Sequence, residues 1–202
     1  VQTCALPIFI PYALGSTNRD YPTQESQVQD AQFGVDAKFG VTPSLNLDVT
    51  VNTDFAQVEV DDQQIDLTRF ELFFPEKRPF FLENAGTFSI GTGDSEGRSI
   101  ELFFSRRIGI GPDGEFVPIQ AGGRLSGKVG GYNVGLMNMQ TDSVEDVTLA
   151  NNFTVAALGR ELPNRSSLRG LFVNRTATGA SASRDDWNRT WGLDGQIGRA
   201  HV

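Results

Sequence analysis

Leu45-Asn46-Leu47-Asp48-Val49-Thr50-Val51-Asn52 alternates apolar and polar side chains without an error. That is the period of an extended strand with one greasy and one polar face. Phe33-Gly34-Val35-Asp36-Ala37-Lys38-Phe39 follows the same rule, with apolar residues at the odd positions and Asp36 and Lys38 together on the opposite face. Between them Val41-Thr42-Pro43-Ser44 supplies turn chemistry, so the pair reads as an antiparallel hairpin.

The C-terminal half has the same grammar. Arg124 to Val129 and Tyr132 to Met139 flank Gly130-Gly131, a pair suited to a tight hairpin turn because glycine accepts positive φ. Tyr132, Val134 and Leu136 then share a face. A polar loop from Thr141 to Asn151 leads into a strand from Phe153 to Glu161. Pro163-Asn164-Arg165-Ser166 turns tightly into Leu168 to Asn174, and a long small-residue loop, Arg175 to Arg189, precedes a last strand around Trp191.

Short and long connections therefore alternate, and strands of about 8–10 residues with aromatics near their ends (Phe33, Phe39, Tyr132, Phe153, Trp191) accompany them. Outer-membrane barrels are built this way, but a soluble β-sandwich also has alternating strands. In a barrel, Lys or Arg facing lipid costs about 2–4 kcal/mol, which assigns Asp36, Lys38, Asp48, Arg124 and Lys128 to the lumen. The expected fold is all-β and antiparallel, a partial outer-membrane-type barrel with open edges and one short helix or irregular segment near 63–83.

Between Asn52 and Glu83 alternation fades and carboxylates gather: Asp54, Glu59, Asp61, Asp62, Asp66, Glu71, Glu76 and Glu83, with Arg69, Lys77 and Arg78 among them. Asp62 is placed to cap a short helix over Gln63 to Phe73 that Pro75 would stop. Phe73-Phe74-Pro75-Glu76-Lys77-Arg78-Pro79-Phe80-Phe81-Leu82-Glu83 combines apolar anchors, fixed φ and concentrated charge, too much for a simple surface loop. Leu102-Phe103-Phe104-Ser105-Arg106-Arg107 reads as a strand with a basic end.

Composition narrows the functions. The net charge of −8 argues against a nucleic-acid partner, since phosphate binding needs clustered Lys and Arg. Val1 to Ile8 and Gln196 to Val202 look like translated sequencing adapters, leaving residues 9–195 as the expected barrel domain, an internal piece of a longer gene with a charged Phe/Pro-rich segment at 53–110. Cys4 and His201 are the sole Cys and His, so residues 9–195 contain no thiol nucleophile, disulfide or Cys/His zinc site.

Four ordered blocks carry a family resemblance: Asp54-Phe55-Ala56-Gln57-Val58-Glu59, Leu67-Thr68-Arg69-Phe70-Glu71, Phe74 to Glu83, and Phe104-Ser105-Arg106-Arg107-Ile108-Gly109. Together they resemble a large, poorly characterised bacterial family with an outer-membrane-type β-barrel region. In that family the region usually follows an N-terminal module similar to carbohydrate-binding family 9. The resemblance covers roughly Phe9 to Gln140 well and the remainder only in style. It implies a bacterial outer-membrane location, a lipid bilayer as partner, and a pore or anchor for glycan binding or uptake, with glycans held by the missing module. It supplies no catalytic residues.

Glu76, Lys77, Arg78, Glu83, Arg106 and Arg107 form the candidate cluster, in which Glu76 or Glu83 is expected to pair with Arg106 or Arg107 and pin the Phe-rich segment to the wall. A ligand or ion role for the same cluster is the alternative. Paired carboxylates also suit glycoside hydrolysis, but Asp54, Glu59, Glu71 and Glu76 offer so many pairs that no catalytic residue is assigned. The rival functions are therefore a carboxylate-dependent glycan hydrolase and a soluble β-sandwich binding module. Asp54, Asp61, Asp62 and Asp66 lack the spacing and glycine of a Ca²⁺ loop, so no metal or cofactor is assigned. Gly109-Ile110-Gly111-Pro112-Asp113-Gly114 is turn chemistry and not a dinucleotide loop, because no helical pattern follows it. The sequons at Asn152, Asn164, Asn174 and Asn188 are read as unglycosylated polar turns.

Overall fold

The computed structural model describes residues 6–18, 28–53, 75–90, 102–111, 115–145 and 147–198. The chain is all-β, with eight strands among the described residues: β1 (Ile8–Asn18), β2 (Val28–Thr42), β3 (Leu45–Val51), β4 (Ile119–Val129), β5 (Tyr132–Thr141), β6 (Ala150–Leu162), β7 (Ser166–Thr178) and β8 (Trp187–Gln196). They form one sheet in sequence order, every neighbouring pair antiparallel. The sheet is not closed, and β1 and β8 are its edges among the described residues. Among the described residues helix is confined to α1 (Pro79–Leu82) and two 3-10 turns, Ala85–Thr87 and Ser105–Arg107.

The hairpin at 33–52 forms as its alternation requires, with Phe39 opposite Leu47 and Lys38 opposite Asp48. Gly130 and Gly131 both take positive φ between β4 and β5, the backbone that lets so short a turn match strand twist. β1 has no comparable sequence signal, and Pro11 sits within it; proline is tolerated there because an edge strand has one unpaired side.

Several expectations need correction. Residues 102–107 are not a strand but a loop ending in a 3-10 turn, because the Ser105 and Ile108 carbonyls turn inward to accept hydrogen bonds from Arg78. β6 to β8 run well into the stretches read as loops, since backbone pairing continues through polar residues such as Asn152 opposite Thr176. Asn152, Asn174 and Asn188 accordingly lie on strands, and of the four sequon residues only Asn164 is in a turn. The helix expected over Gln63 to Phe73 and the Asp54–Asp66 group lie outside the described residues. Among the described residues no helix follows the glycines at 109 and 111; Gly111 N–H instead bonds the Glu115 carbonyl and the chain proceeds into β4.

Register divides the sheet into two unlike faces. Asp36, Lys38, Asp48, Arg124, Lys128, Glu161, Arg169, Arg175 and Asp194 all project to one side. Residues 75–90 and 102–110 cover that side. Phe81, Phe88, Ile90 and Ile108 form a core there with Met137, Met139, Val155, Ala157 and Leu171, and Phe153, an expected strand-end aromatic, packs against it too. The opposite face carries Phe33, Val49, Leu136, Leu158, Phe172, Trp191 and Leu193, and Phe33, Trp191 and Leu193 are 71%, 74% and 75% exposed.

Close approach to the covered face needs Gly135 on β5. A Cβ there would lie 2.7 Å from Thr87 Cγ2 and 2.9 Å from Phe88 Cε1. Gly135→Val should therefore push residues 87–88 off the sheet at a cost of about 1–3 kcal/mol. A lowered melting temperature with strand circular dichroism retained is the expected result.

Candidate functional site

Two buried guanidinium groups organise the covered face. Arg124 on β4 stands directly opposite Asp48 on β3, which stands opposite Lys38 on β2, so three charges line up across neighbouring strands. Arg124 is 1% exposed and Asp48 5%. Arg124 donates from Nε and Nη2 to Asp48 Oδ2, at 3.2 and 2.6 Å. Its Nη1 donates to the Phe80 and Glu83 carbonyls, which face the sheet because α1 ends there. Lys38 Nζ donates to both carboxylate oxygens of Glu83 and lies 3.7 Å from Asp48 Oδ1. Asn84, in left-handed backbone, adds a hydrogen bond to Ser126 Oγ at 3.1 Å. Arg124 also lies over the Phe80 ring, 5.1 Å from its centroid.

The second group is internal to the covering segment. Pro75 and Pro79 make that chain stiff, and Pro79 opens α1 at the one helical position where its missing N–H is harmless. Arg78 just before it donates from Nε and Nη2 to the two oxygens of Glu76, at 2.8 and 2.7 Å. It also donates to the carbonyls of Ile108 (2.6 Å) and Ser105 (2.8 Å). Ser105 Oγ donates to Glu76 at 2.7 Å, and the Lys77 and Arg78 amides donate to its other oxygen. The Arg78 guanidinium stacks 4.1 Å from the Phe81 centroid.

The expected pairing is thus replaced. Glu76 is held by Arg78 and Glu83 by Lys38 and Arg124, while Arg106 donates to the Pro75 carbonyl and the Arg107 side chain is exposed. Local chain direction decides this, since Arg78 is already within two residues of Glu76 and the 3-10 turn points Arg107 outward. Lys38, Asp48 and Arg124 were legible as one face, but their union with Glu83 needed the fold.

Burial pushes the Glu76 carboxyl up, but the hydrogen bonds and charge of Arg78, helped by Ser105, hold it below its ordinary value. Lys38 does the same for Glu83 through its hydrogen bond, against a smaller burial effect and with the charges of Lys38 and Arg124 adding to it. Burial lowers the Arg106 pKa. A carboxyl held ionised among donors is a poor proton donor, so Glu76 fits a fastening role better than acid catalysis. Among the described residues no three metal-ligating side chains converge. A cavity of about 270 Å³ lies beside the fastening, lined by Glu76, Phe81, Phe88, Phe103, Arg124 and Met137 among others.

Arg124→Met removes both hydrogen-bond donors of Asp48 and leaves only Lys38, 3.7 Å away, to offset its charge, so it should cost about 3 kcal/mol, whereas adding Asp48→Leu should recover much of the loss; paired chemical denaturation curves measure both. The acid limb tests Glu83. Its folded pKa is depressed below the ordinary 4.5, so its stabilisation is complete above that pH and lost as pH falls through the folded pKa. Glu83→Gln should flatten stability against pH below about 4.5, the ordinary glutamate value, and leave the slope above it unchanged.

No curated protein and no solved structure matches the chain. A family model described as "Domain of unknown function (DUF5916)" matches residues 7–125, which takes in β1 to β3, the covering segment and the first part of β4, Arg124 included. That match spans more than half of the chain, and the protein belongs to this DUF5916 family.

Proposed function

We propose that residues 9–195 are part of the wall of an outer-membrane β-barrel, with residues 75–110 lying against its inner side, and that residues 1–8 and 196–202 are adapter-derived. The whole protein would act as a pore or anchor in the bacterial outer membrane, working with a glycan-binding module on the same polypeptide. The segregation of charge by face carries the membrane part. Among the described strand side chains every charged one except Arg160 and Arg189 lies on the covered face, while the opposite face leaves large apolar residues bare. Bilayer hydrocarbon is the solvent that makes such a face favourable, because exposure to water of so many apolar groups is costly. The glycan part rests on the family resemblance.

Leu158, on the bare face opposite Val134 and Gly170, is the position for a decisive substitution. Leu158→Arg should destabilise the full-length protein by about 2–4 kcal/mol in vesicles if the face meets lipid. In a soluble sandwich with a second layer on that face, the native protein would instead remain in solution without detergent and show no heat-modifiable migration on gels. Heat-modifiable migration together with the Leu158→Arg loss is the expected outcome.

A further inference from the structure

Arg160 and Arg189 are the two strand charges on the bare face, and they differ from every other strand cation. Lys38, Arg124, Lys128, Arg169 and Arg175 each have a carboxylate partner. Arg160 and Arg189 instead each lie over an aromatic ring: Arg160 is 4.9 Å from the Tyr132 centroid and Arg189 is 4.4 Å from that of Trp187. Arg160 Nη1 also bonds the Tyr132 hydroxyl at 3.0 Å, and Arg189 Nε bonds Asn174 Oδ1 at 3.1 Å. Both Nη groups of Arg189, and Nε and Nη2 of Arg160, have no protein acceptor among the described residues. A guanidinium stacked on a ring is held flat and keeps its outward fork open, the arrangement suited to a tetrahedral oxyanion.

Their positions are as telling as their chemistry. Arg160 stands opposite Leu168 and Arg189 opposite Asn174, so the two pairs bracket the apolar band at opposite ends. Six residues of β7 separate those rows, about 20 Å along the strand. Long arginine side chains extend that span outward, towards the ~25 Å height of a lipid-facing band. The described strand residues of this face include no carboxylate, although the chain as a whole carries a charge of −8.

We propose that the Tyr132–Arg160 and Trp187–Arg189 pairs are two binding sites for lipid phosphate headgroups, one at each boundary of the apolar band. This deepens the membrane reading and rests on it. Each arginine fork takes one phosphate while its ring, level with Arg160 in the case of Tyr132 and one row beyond Arg189 in the case of Trp187, holds the guanidinium flat, and the two contacts together set the depth and tilt of the sheet.

The test uses the full-length protein in phosphate-free maltoside micelles, with the double variant Arg160→Gln/Arg189→Gln beside it. Phosphatidylglycerol, a galactosyl diglyceride and inorganic phosphate are titrated separately while thermal unfolding is followed. Phosphatidylglycerol should stabilise the native protein, and the variant should need a roughly tenfold higher concentration for the same effect. The galactolipid should act on both alike. Equal phosphatidylglycerol responses would overturn the proposal while leaving the membrane reading intact, provided both proteins fold in plain maltoside. An equal response to inorganic phosphate and to phosphatidylglycerol would make the sites ones for free anions and overturn the lipid assignment. A protein that needs no detergent and ignores every lipid would remove the membrane reading and these sites together.

Discussion

A guanidinium taken out of water must have its donors met, and Arg124 has almost no water left. Its strand neighbour Asp48 satisfies one side of the fork, but a flat sheet offers nothing for Nη1. The carbonyls of Phe80 and Glu83 fill that need, and they become available only because α1 stops after a single turn. Arg124 therefore dictates both that a segment covers this face and where its helical turn must end. The same demand recurs at Arg78, whose hydrogen bonds to Ser105 and Ile108 tie the chain before α1 to the chain beyond Leu102.

The covering segment meets the sheet in two ways. Over β2 to β4 it is held by charge and hydrogen bonds, through Glu83 and Asn84. Over β5 to β7 it is held by packing, with Phe81, Phe88 and Ile90 against Met137, Val155 and Leu171. These respond differently to conditions: removing one partner of the buried ion pair leaves an uncompensated charge, whereas trimming a phenylalanine leaves a cavity. The segment lies on the charged face, and among the described residues nothing covers the opposite face, where Phe33, Trp191 and Leu193 stay largely exposed.

Much of this was legible in particular residues. The odd positions from Phe33 to Phe39 and the alternation from Leu45 to Asn52 state strand, face and partner, because a two-residue period admits no other regular backbone. Gly130-Gly131 announces its turn for an equally local reason. The polarity of Arg175 to Thr178 reads as loop, yet these residues extend β7, because the ladder is made by backbone groups that ignore side-chain polarity. β1 escaped notice because Ile8 to Asn18, with a proline inside, has no strict alternation.

The amino-acid order by itself determined the strand class, the hairpins and the sorting of Asp36, Lys38, Asp48, Arg124 and Lys128 onto one face, since each of these follows from neighbours within a few residues. Only the tertiary structure decided which acid meets which base. Glu83 is remote in sequence from both Lys38 and Arg124, and Arg78 could as well have been exposed and Arg107 buried. Ion-pair choice depends on where a short helical turn and a 3-10 turn deliver their carbonyls in space, and the local periodicity of residues does not contain that information.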